Sequence, residues 1–141
     1  MKQQLTEDFK LYEFEKSNVA KAYGISNHVP NMAIYNNIKQ LCTFILQPLR
    51  EQFGIIKINS GYRSTELNKH KKIKGSEASQ HQLGEAADIK FRNQETFINA
   101  IAYIKEHLAF DQLIVYKKKN GLVKFIHVSY SGKNRRQVME K

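Results

Sequence analysis

The clearest hydrophobic pattern in the chain has the spacing of an α-helix. Apolar residues recur at steps of three and four after Asn31, a residue type that caps helix N-termini. The repeated positions are Ile34, Ile38, Leu41, Cys42, Ile45, Leu46 and Leu49. This pattern predicts a long helix with one face in the core. The single cysteine of the chain, Cys42, falls on that face, so we interpret it as a small apolar core residue and not as a disulfide or metal ligand.

Three further segments have helical character. Residues 13–23 predict a short helix that places Phe14 inward and ends near Gly24. Residues 64–72 predict a helical turn capped by Ser64. Asn93 is the predicted cap of an amphipathic helix whose apolar face begins at Phe97. Helices therefore account for much of the chain.

Strand patterns occur between and after these helices. Residues 55–59 and residues 86–91 are rich in β-branched or small apolar side chains and predict two strands. Residues 112–117 and 122–129 predict a hairpin that turns at Asn120 and Gly121. These elements predict an α+β fold in which helices flank a small, mainly antiparallel sheet. No repeat or linker interrupts the chain, so we expect residues 1–141 to form a single domain.

The charge balance is strongly basic. Lysine and arginine number 23 against 13 acidic residues, which gives a formal net charge of +10. Basic clusters at residues 69–74, 117–119 and 133–136 would attract polyanions, such as nucleic acid or the anionic polymers of a bacterial cell wall. A solvated basic surface explains any one cluster equally well. Nucleic acid is the less favoured partner because the clusters lack interleaved aromatic residues and no nucleic-acid-binding motif is present.

Three side chains have the chemistry of an open zinc site. His81 and Asp88 lie seven residues apart, and His127 follows in the second strand of the predicted hairpin. Two imidazoles and one carboxylate leave a fourth position for water, which zinc can ionise near neutral pH. Asp88 also lies in an apolar segment, where a carboxylate is costly to bury unless it meets a cation. These residues are therefore the candidate metal ligands.

The segments around these residues resemble a known family. Residues 60–64 (SGYRS), 79–88 (SQHQLGEAAD) and 127–129 (HVS) are similar to the zinc D-alanyl-D-alanine carboxypeptidase and dipeptidase family, which cuts peptidoglycan cross-bridges. Residues 14–27, 110–114 and 134–138 also resemble a compact subgroup common in phages and prophage-like bacterial genes. The resemblance implies the fold shared by hedgehog proteins and D,D-peptidases, a zinc cofactor and a peptidase that hydrolyses D-amino-acid peptide bonds of peptidoglycan.

The resemblance also implies roles for individual residues. His81, Asp88 and His127 would bind zinc. Arg63 would polarise the scissile carbonyl or anchor substrate charge, because a fixed positive donor stabilises a developing oxyanion. Ser79 would hydrogen-bond the substrate peptide.

The general base of such an enzyme is missing from its expected places. Relatives carry an acidic residue three positions before the last histidine, or on the strand after the 111–114 run, where this chain has Lys124 and Tyr116. The remaining candidates are Glu77, Glu85 and Asp111, or no residue at all. The chain is accordingly either a zinc peptidase or a catalytically weak or inactive zinc protein that binds the cell wall.

The expected partners and location follow from these features. The substrate would be a peptidoglycan peptide, with anionic wall polymers as further partners and no membrane association. No stretch of apolar residues has the length of a signal peptide or membrane span. We therefore expect a soluble protein that is cytoplasmic on synthesis, and release by lysis or delivery to the wall both stay open.

Overall fold

A twisted sheet of five strands forms the centre of the computed structural model, which describes all residues from Met1 to Lys141. The strands are β1 (Lys57–Ser60), β2 (Ala86–Lys90), β3 (Gln112–Lys117), β4 (Val123–Ser129) and β5 (Gln137–Glu140). The helices are α1 (Leu11–Glu15), α2 (Asn18–Tyr23), α3 (Met32–Leu41), α4 (Gln47–Phe53), α5 (Thr65–Lys69) and α6 (Gln94–His107). A π-helical segment (Cys42–Leu46) joins α3 to α4, and a 3₁₀ helix (Gln80–Leu83) precedes β2.

The strands are ordered β1-β2-β4-β3-β5 across the sheet. Neighbouring strands pair antiparallel, except that β5 runs parallel to β3. The predicted hairpin is formed by β3 and β4. The expected α+β fold with a mainly antiparallel sheet is therefore confirmed.

The predicted long helix is continuous from α3 through the π-helical segment into α4. Its cap is Asn31, whose side chain accepts a hydrogen bond from the backbone N–H of Ile34 at 3.0 Å. The fully buried members of the apolar face are Ile38, Leu41, Cys42, Ile45, Leu46 and Leu49. Burial raises the pKa of Cys42, so its thiol stays protonated and packs as an apolar group.

Two parts of the fold differ from the sequence expectation. Residues 13–23 form parts of two helices instead of one, because Ser17 caps α2 by accepting a hydrogen bond from the N–H of Ala20. The second difference is β5, which the sequence pattern did not predict. Its side chains are largely exposed, so no alternation of apolar and polar residues marks it as a strand.

The two faces of the sheet have different roles. Residues on one face alternate into the hydrophobic core and include Ile89, Val115 and Ile126. Residues on the opposite face line a cavity. The core contains residues from Leu5 to Val128. That residues 1–141 form a single domain stays a prediction.

A glycine turn connects the 3₁₀ helix to β2. Gly84 has a left-handed backbone, with φ of 74°. A Cβ atom at this position would lie 2.8 Å from the backbone oxygen of Ile34. The turn between His81 and Asp88 therefore requires glycine for both its conformation and its close contact with α3.

We expect Gly84→Ala to lower the free energy of unfolding by about 2 kcal/mol, because the alanine adds left-handed strain and a backbone clash. Urea denaturation measures the change. Gly132→Ala is the control, since no atom lies within 4 Å of the added Cβ there. Equal stability of the two variants would contradict the prediction.

Candidate metal centre

Strand pairing brings two of the candidate ligands together. Asp88 on β2 lies directly opposite His127 on β4, so both side chains leave the sheet on the cavity face. His81 reaches the same point from the 3₁₀ helix. The ligand atoms of these three residues lie within 4.8 Å of one another, and no other group of His, Cys, Asp or Glu in the chain has this geometry.

The distances between the donor atoms suit a divalent metal. Asp88 Oδ1 lies 2.9 Å from His127 Nδ1 and 3.3 Å from His81 Nε2. Tetrahedral zinc with ligands at about 2.0–2.1 Å places neighbouring ligand atoms about 3.3 Å apart. Two imidazole nitrogens and one carboxylate oxygen are also a donor set that catalytic zinc uses. The three residues could therefore hold zinc with one position left for water or substrate.

A backbone carbonyl fixes the orientation of His81. Its Nδ1 lies 2.7 Å from the oxygen of Gly61, so Nδ1–H donates there and the lone pair of Nε2 faces Asp88. Burial lowers the pKa of His81, although the contact with Asp88 opposes this. The imidazole is consequently neutral near neutral pH, which is the form that binds metals.

Asp88 is held ionised by its neighbours. Burial raises the pKa of Asp88, but the hydrogen bond from His127 and the contact with His81 outweigh burial and hold the pKa well below its usual range. Arg63 Nη2 approaches the other carboxylate oxygen, Oδ2, at 3.4 Å. One oxygen therefore faces the two imidazoles while the second faces a cation.

Arg63 is fixed at the edge of the cavity. Its Nε donates to Ser60 Oγ at 3.1 Å, and its Nη1 donates to Asn68 Oδ1 at 3.2 Å. Burial lowers the pKa of Arg63, whereas Asp88 and Tyr116 raise it. The guanidinium has more N–H donors than these bonds and the Asp88 contact use, so donors remain for a substrate. Its expected role toward substrate stays a prediction.

Ser79 has a structural contact beside its predicted role. Its hydroxyl oxygen accepts a hydrogen bond from the backbone N–H of His81 at 3.2 Å and so caps the 3₁₀ helix. Ser79 also lines the cavity, and its own O–H is free to donate. Helix capping and substrate contact are therefore compatible.

A cavity of about 640 Å³ opens over the three candidate ligands. Four cationic side chains line it: Arg63, Lys74, Arg135 and Lys141. Asp88 is the only acidic residue in its lining. The cavity therefore favours an anionic ligand, such as a peptide that carries carboxylates.

The three acidic candidates for a general base lie outside this cavity. Asp111 is buried and accepts hydrogen bonds from the backbone and guanidinium of Arg135 and from Gln80. Glu85 accepts a hydrogen bond from Gln80 at 3.2 Å, and Glu77 is exposed. Of these, Asp111 has a clear structural role, because it joins the chain before β5 to the start of β3.

The two positions where relatives carry the acid differ in location. Lys124 is exposed and is absent from the cavity lining, whereas Tyr116 is part of that lining. Tyr116 shares the cavity face with His127, because alternation is regular from Ile114 to Tyr116. Next to Lys124 the register of β3 and β4 shifts, between Tyr116 and Lys117.

Sequence reasoning missed Asn68, which holds the Arg63 guanidinium in place through a hydrogen bond. Its side chain is buried, accepts from Arg63 and donates to the carbonyl of Ser76 at 2.8 Å. The one possible signal for this role is the burial of a polar residue in a predicted helical turn. The sequence alone does not show that Asn68 is buried. Sequence reasoning also missed Gln80, Met139 and Lys141 in the cavity lining.

A helix-flanked antiparallel sheet with two histidines and an aspartate gathered in an open cavity is typical of a metallopeptidase. The chain matches the family model described as Peptidase M15 over residues 7–129, which is most of its length. It therefore belongs to the M15 peptidases, the zinc D-Ala-D-Ala carboxypeptidase family. A comparison with curated proteins found no match.

Membership in this family confirms the resemblance drawn from the sequence motifs. It implies a zinc-dependent metallopeptidase that acts on peptidoglycan-type substrates. None of the helices combines the length and apolarity needed to cross a membrane.

The Asp111 contacts predict sensitivity to acid. Hydrogen bonds from Arg135, opposed by burial, lower the pKa of Asp111 to about 2. An unfolded aspartate has a pKa of about 3.9, so this group contributes its full stability above that pH and loses it as the pH falls toward about 2. We expect Asp111→Asn to cost about 1–3 kcal/mol of unfolding free energy at pH 7.

Urea denaturation of metal-free protein at several pH values measures this effect. The difference between the native chain and Asp111→Asn should shrink between pH values of about 4 and 2, because the native carboxylate becomes protonated there. A difference that stays constant across that range would show that Asp111 is not the titrating group.

The Gly61 contact predicts a link between backbone and metal affinity. A Cβ on Gly61 would lie 2.6 Å from the Cα of Phe14, so Gly61→Ala must move the carbonyl that orients His81. We expect zinc affinity to fall about 10- to 100-fold, as for other partners of metal-bound histidines. Competition with a chromogenic chelator measures the zinc affinity, and Gly132→Ala is the control. Unchanged zinc affinity in a folded Gly61→Ala protein would contradict the prediction.

Proposed function

We propose that this protein is a zinc D,D-peptidase that hydrolyses peptide bonds between D-amino acids in bacterial peptidoglycan. One observation carries the proposal: the donor atoms of His81, Asp88 and His127 lie within 4.8 Å of one another in an open cationic cavity of an M15 chain. The three residues would hold the zinc ion. Residues 1–141 would then form one domain of the compact type found in phage and prophage-like relatives.

Each side chain of the centre would have a separate role in hydrolysis. Zinc held by His81, Asp88 and His127 would supply Lewis-acid chemistry and lower the pKa of bound water. His81 and His127 offer neutral nitrogen donors, and Asp88 offers an oxygen whose orientation Arg63 fixes from the other side. The free N–H groups of Arg63 would stabilise negative charge on the substrate, and Ser79 would hydrogen-bond the peptide.

The cavity suits this substrate in size and charge. A volume of about 640 Å³ accommodates a short peptide stem. Arg63, Lys74 and Lys141 would attract the carboxylates of such a stem. Hydrolysis adds water across the peptide bond: the carbonyl carbon gains oxygen to become a carboxyl group, and the leaving nitrogen gains hydrogen to become an amine.

The absence of a second carboxylate favours one alternative. Asp88 is the only acid in the cavity lining, and it is itself a candidate ligand. Loss of general-base assistance typically costs about a hundredfold to ten-thousandfold in rate. The alternative is therefore a catalytically weak or inactive zinc protein that binds the cell wall.

The basic surface supports a further contact with the wall. The clusters at residues 69–74, 117–119 and 133–136 would bind anionic wall polymers, in keeping with the net charge of +10. Such contacts would act from outside the membrane, after release by lysis or delivery to the wall.

The test is turnover by zinc-loaded protein. We expect about one zinc ion per chain, and release of D-alanine or of new amines from a D-Ala-D-Ala peptide or purified peptidoglycan. His81→Ala should lose both zinc and turnover, because it removes a ligand. His28→Ala is the control, since the His28 side chain is 86% exposed and lies outside the cavity.

The outcomes separate the candidates. Zinc binding and pelleting with insoluble wall, without turnover, would support the wall-binding alternative. Turnover that survives in His81→Ala would exclude the proposed centre. Protein that binds neither zinc nor wall would contradict both functions.

A further inference from the structure

We propose that Tyr116 is a catalytic residue whose phenol donates a hydrogen bond to the scissile carbonyl oxygen of the bound peptide. This inference rests on the proposed function and assigns a role to a residue that binds no metal. Four observations support it: strand register, ring packing, local charge and the unpaired hydroxyl of Tyr116.

The strand register places Tyr116 beside the candidate metal ligands. Ile114 on β3 lies opposite His127 on β4, and Tyr116 lies opposite Phe125. Tyr116 is thus the diagonal neighbour of His127 on the same face, about 7–8 Å away between Cα atoms and within the reach of an aromatic side chain. Both residues line the cavity together with Asp88.

Packing holds the Tyr116 ring in place. Its ring is stacked on that of Phe125, with 4.5 Å between the centroids and 17° between the planes. Both residues belong to paired strands instead of loops. A donor held on a rigid strand loses little freedom when substrate binds, which is the condition for effective stabilisation of developing charge.

The surrounding charges keep the phenol protonated. Burial raises the pKa of Tyr116, the carboxylate of Asp88 raises it further, and Arg63 opposes them. The hydroxyl is therefore a hydrogen-bond donor across the neutral range.

Two other donors of the cavity, Arg135 and Gln80, are already engaged by acidic residues of the protein. Arg135 donates from both Nε–H and Nη2–H to Asp111, at 2.8 and 3.0 Å. Gln80 donates its amide to Asp111 and Glu85. The Tyr116 hydroxyl, in contrast, has no hydrogen-bond partner within the protein, so it is available to substrate.

The experiment compares Tyr116→Phe with Tyr12→Phe, an exposed tyrosine outside the cavity. Isothermal titration calorimetry with a phosphinate analogue of D-Ala-D-Ala measures affinity for a mimic of the charged carbonyl oxygen. We expect Tyr116→Phe to weaken this affinity, and to lower kcat, by about 10- to 100-fold, with KM changed less than about threefold. Zinc content and melting temperature should match those of the native chain, because Phe retains the stacked ring.

Tyr116→Phe with phosphinate affinity within about twofold of the native chain would overturn the role of Tyr116 and leave the peptidase proposal intact. An equal loss in Tyr12→Phe would overturn it as well. A native zinc-loaded chain that neither hydrolyses D-Ala-D-Ala peptides nor binds the phosphinate would overturn the proposed function, and this inference with it.

Discussion

The antiparallel pairing of β2 with β4 is the constraint on which the candidate centre depends. It sets Asp88 opposite His127, so a carboxylate and an imidazole emerge side by side from positions far apart in the chain. Because side chains alternate along a strand, a shift of one residue in this register would send one of them into the core. The next pair along the two strands, Ala87 and Val128, is fully buried in the core and fixes that register.

The third candidate ligand depends on close backbone packing. His81 lies in a short 3₁₀ helix whose position depends on two glycines. The carbonyl of Gly61 orients the His81 ring, and Gly84, which follows the helix, packs closely against α3. Arg63 completes the arrangement by holding the outer oxygen of Asp88. Orientation is therefore built into the backbone and the neighbouring side chains, as a preorganised metal centre requires.

Much of this architecture was predictable because local patterns and tertiary packing agree. The helix after Asn31 has both its cap and its apolar period, and the β3–β4 hairpin has its Asn-Gly turn. The cluster of His81, Asp88 and His127 was expected from motif and chemistry. In contrast, β5 is exposed and has no apolar alternation, and the support of Arg63 by Asn68 depends on contacts that no local pattern encodes. The position of Tyr116 in the cavity could not be predicted from the sequence, because it depends on the register between β3 and β4.

The most direct test of the candidate centre is X-ray absorption at the zinc edge of the zinc-loaded protein. A centre formed by His81, Asp88 and His127 predicts nitrogen and oxygen ligands at about 2.0–2.2 Å, two of them imidazoles, and no sulfur. Each of His81→Ala and His127→Ala should remove one imidazole contribution or abolish binding. A spectrum with sulfur ligands, or one that is unchanged in both variants, would contradict the proposed centre.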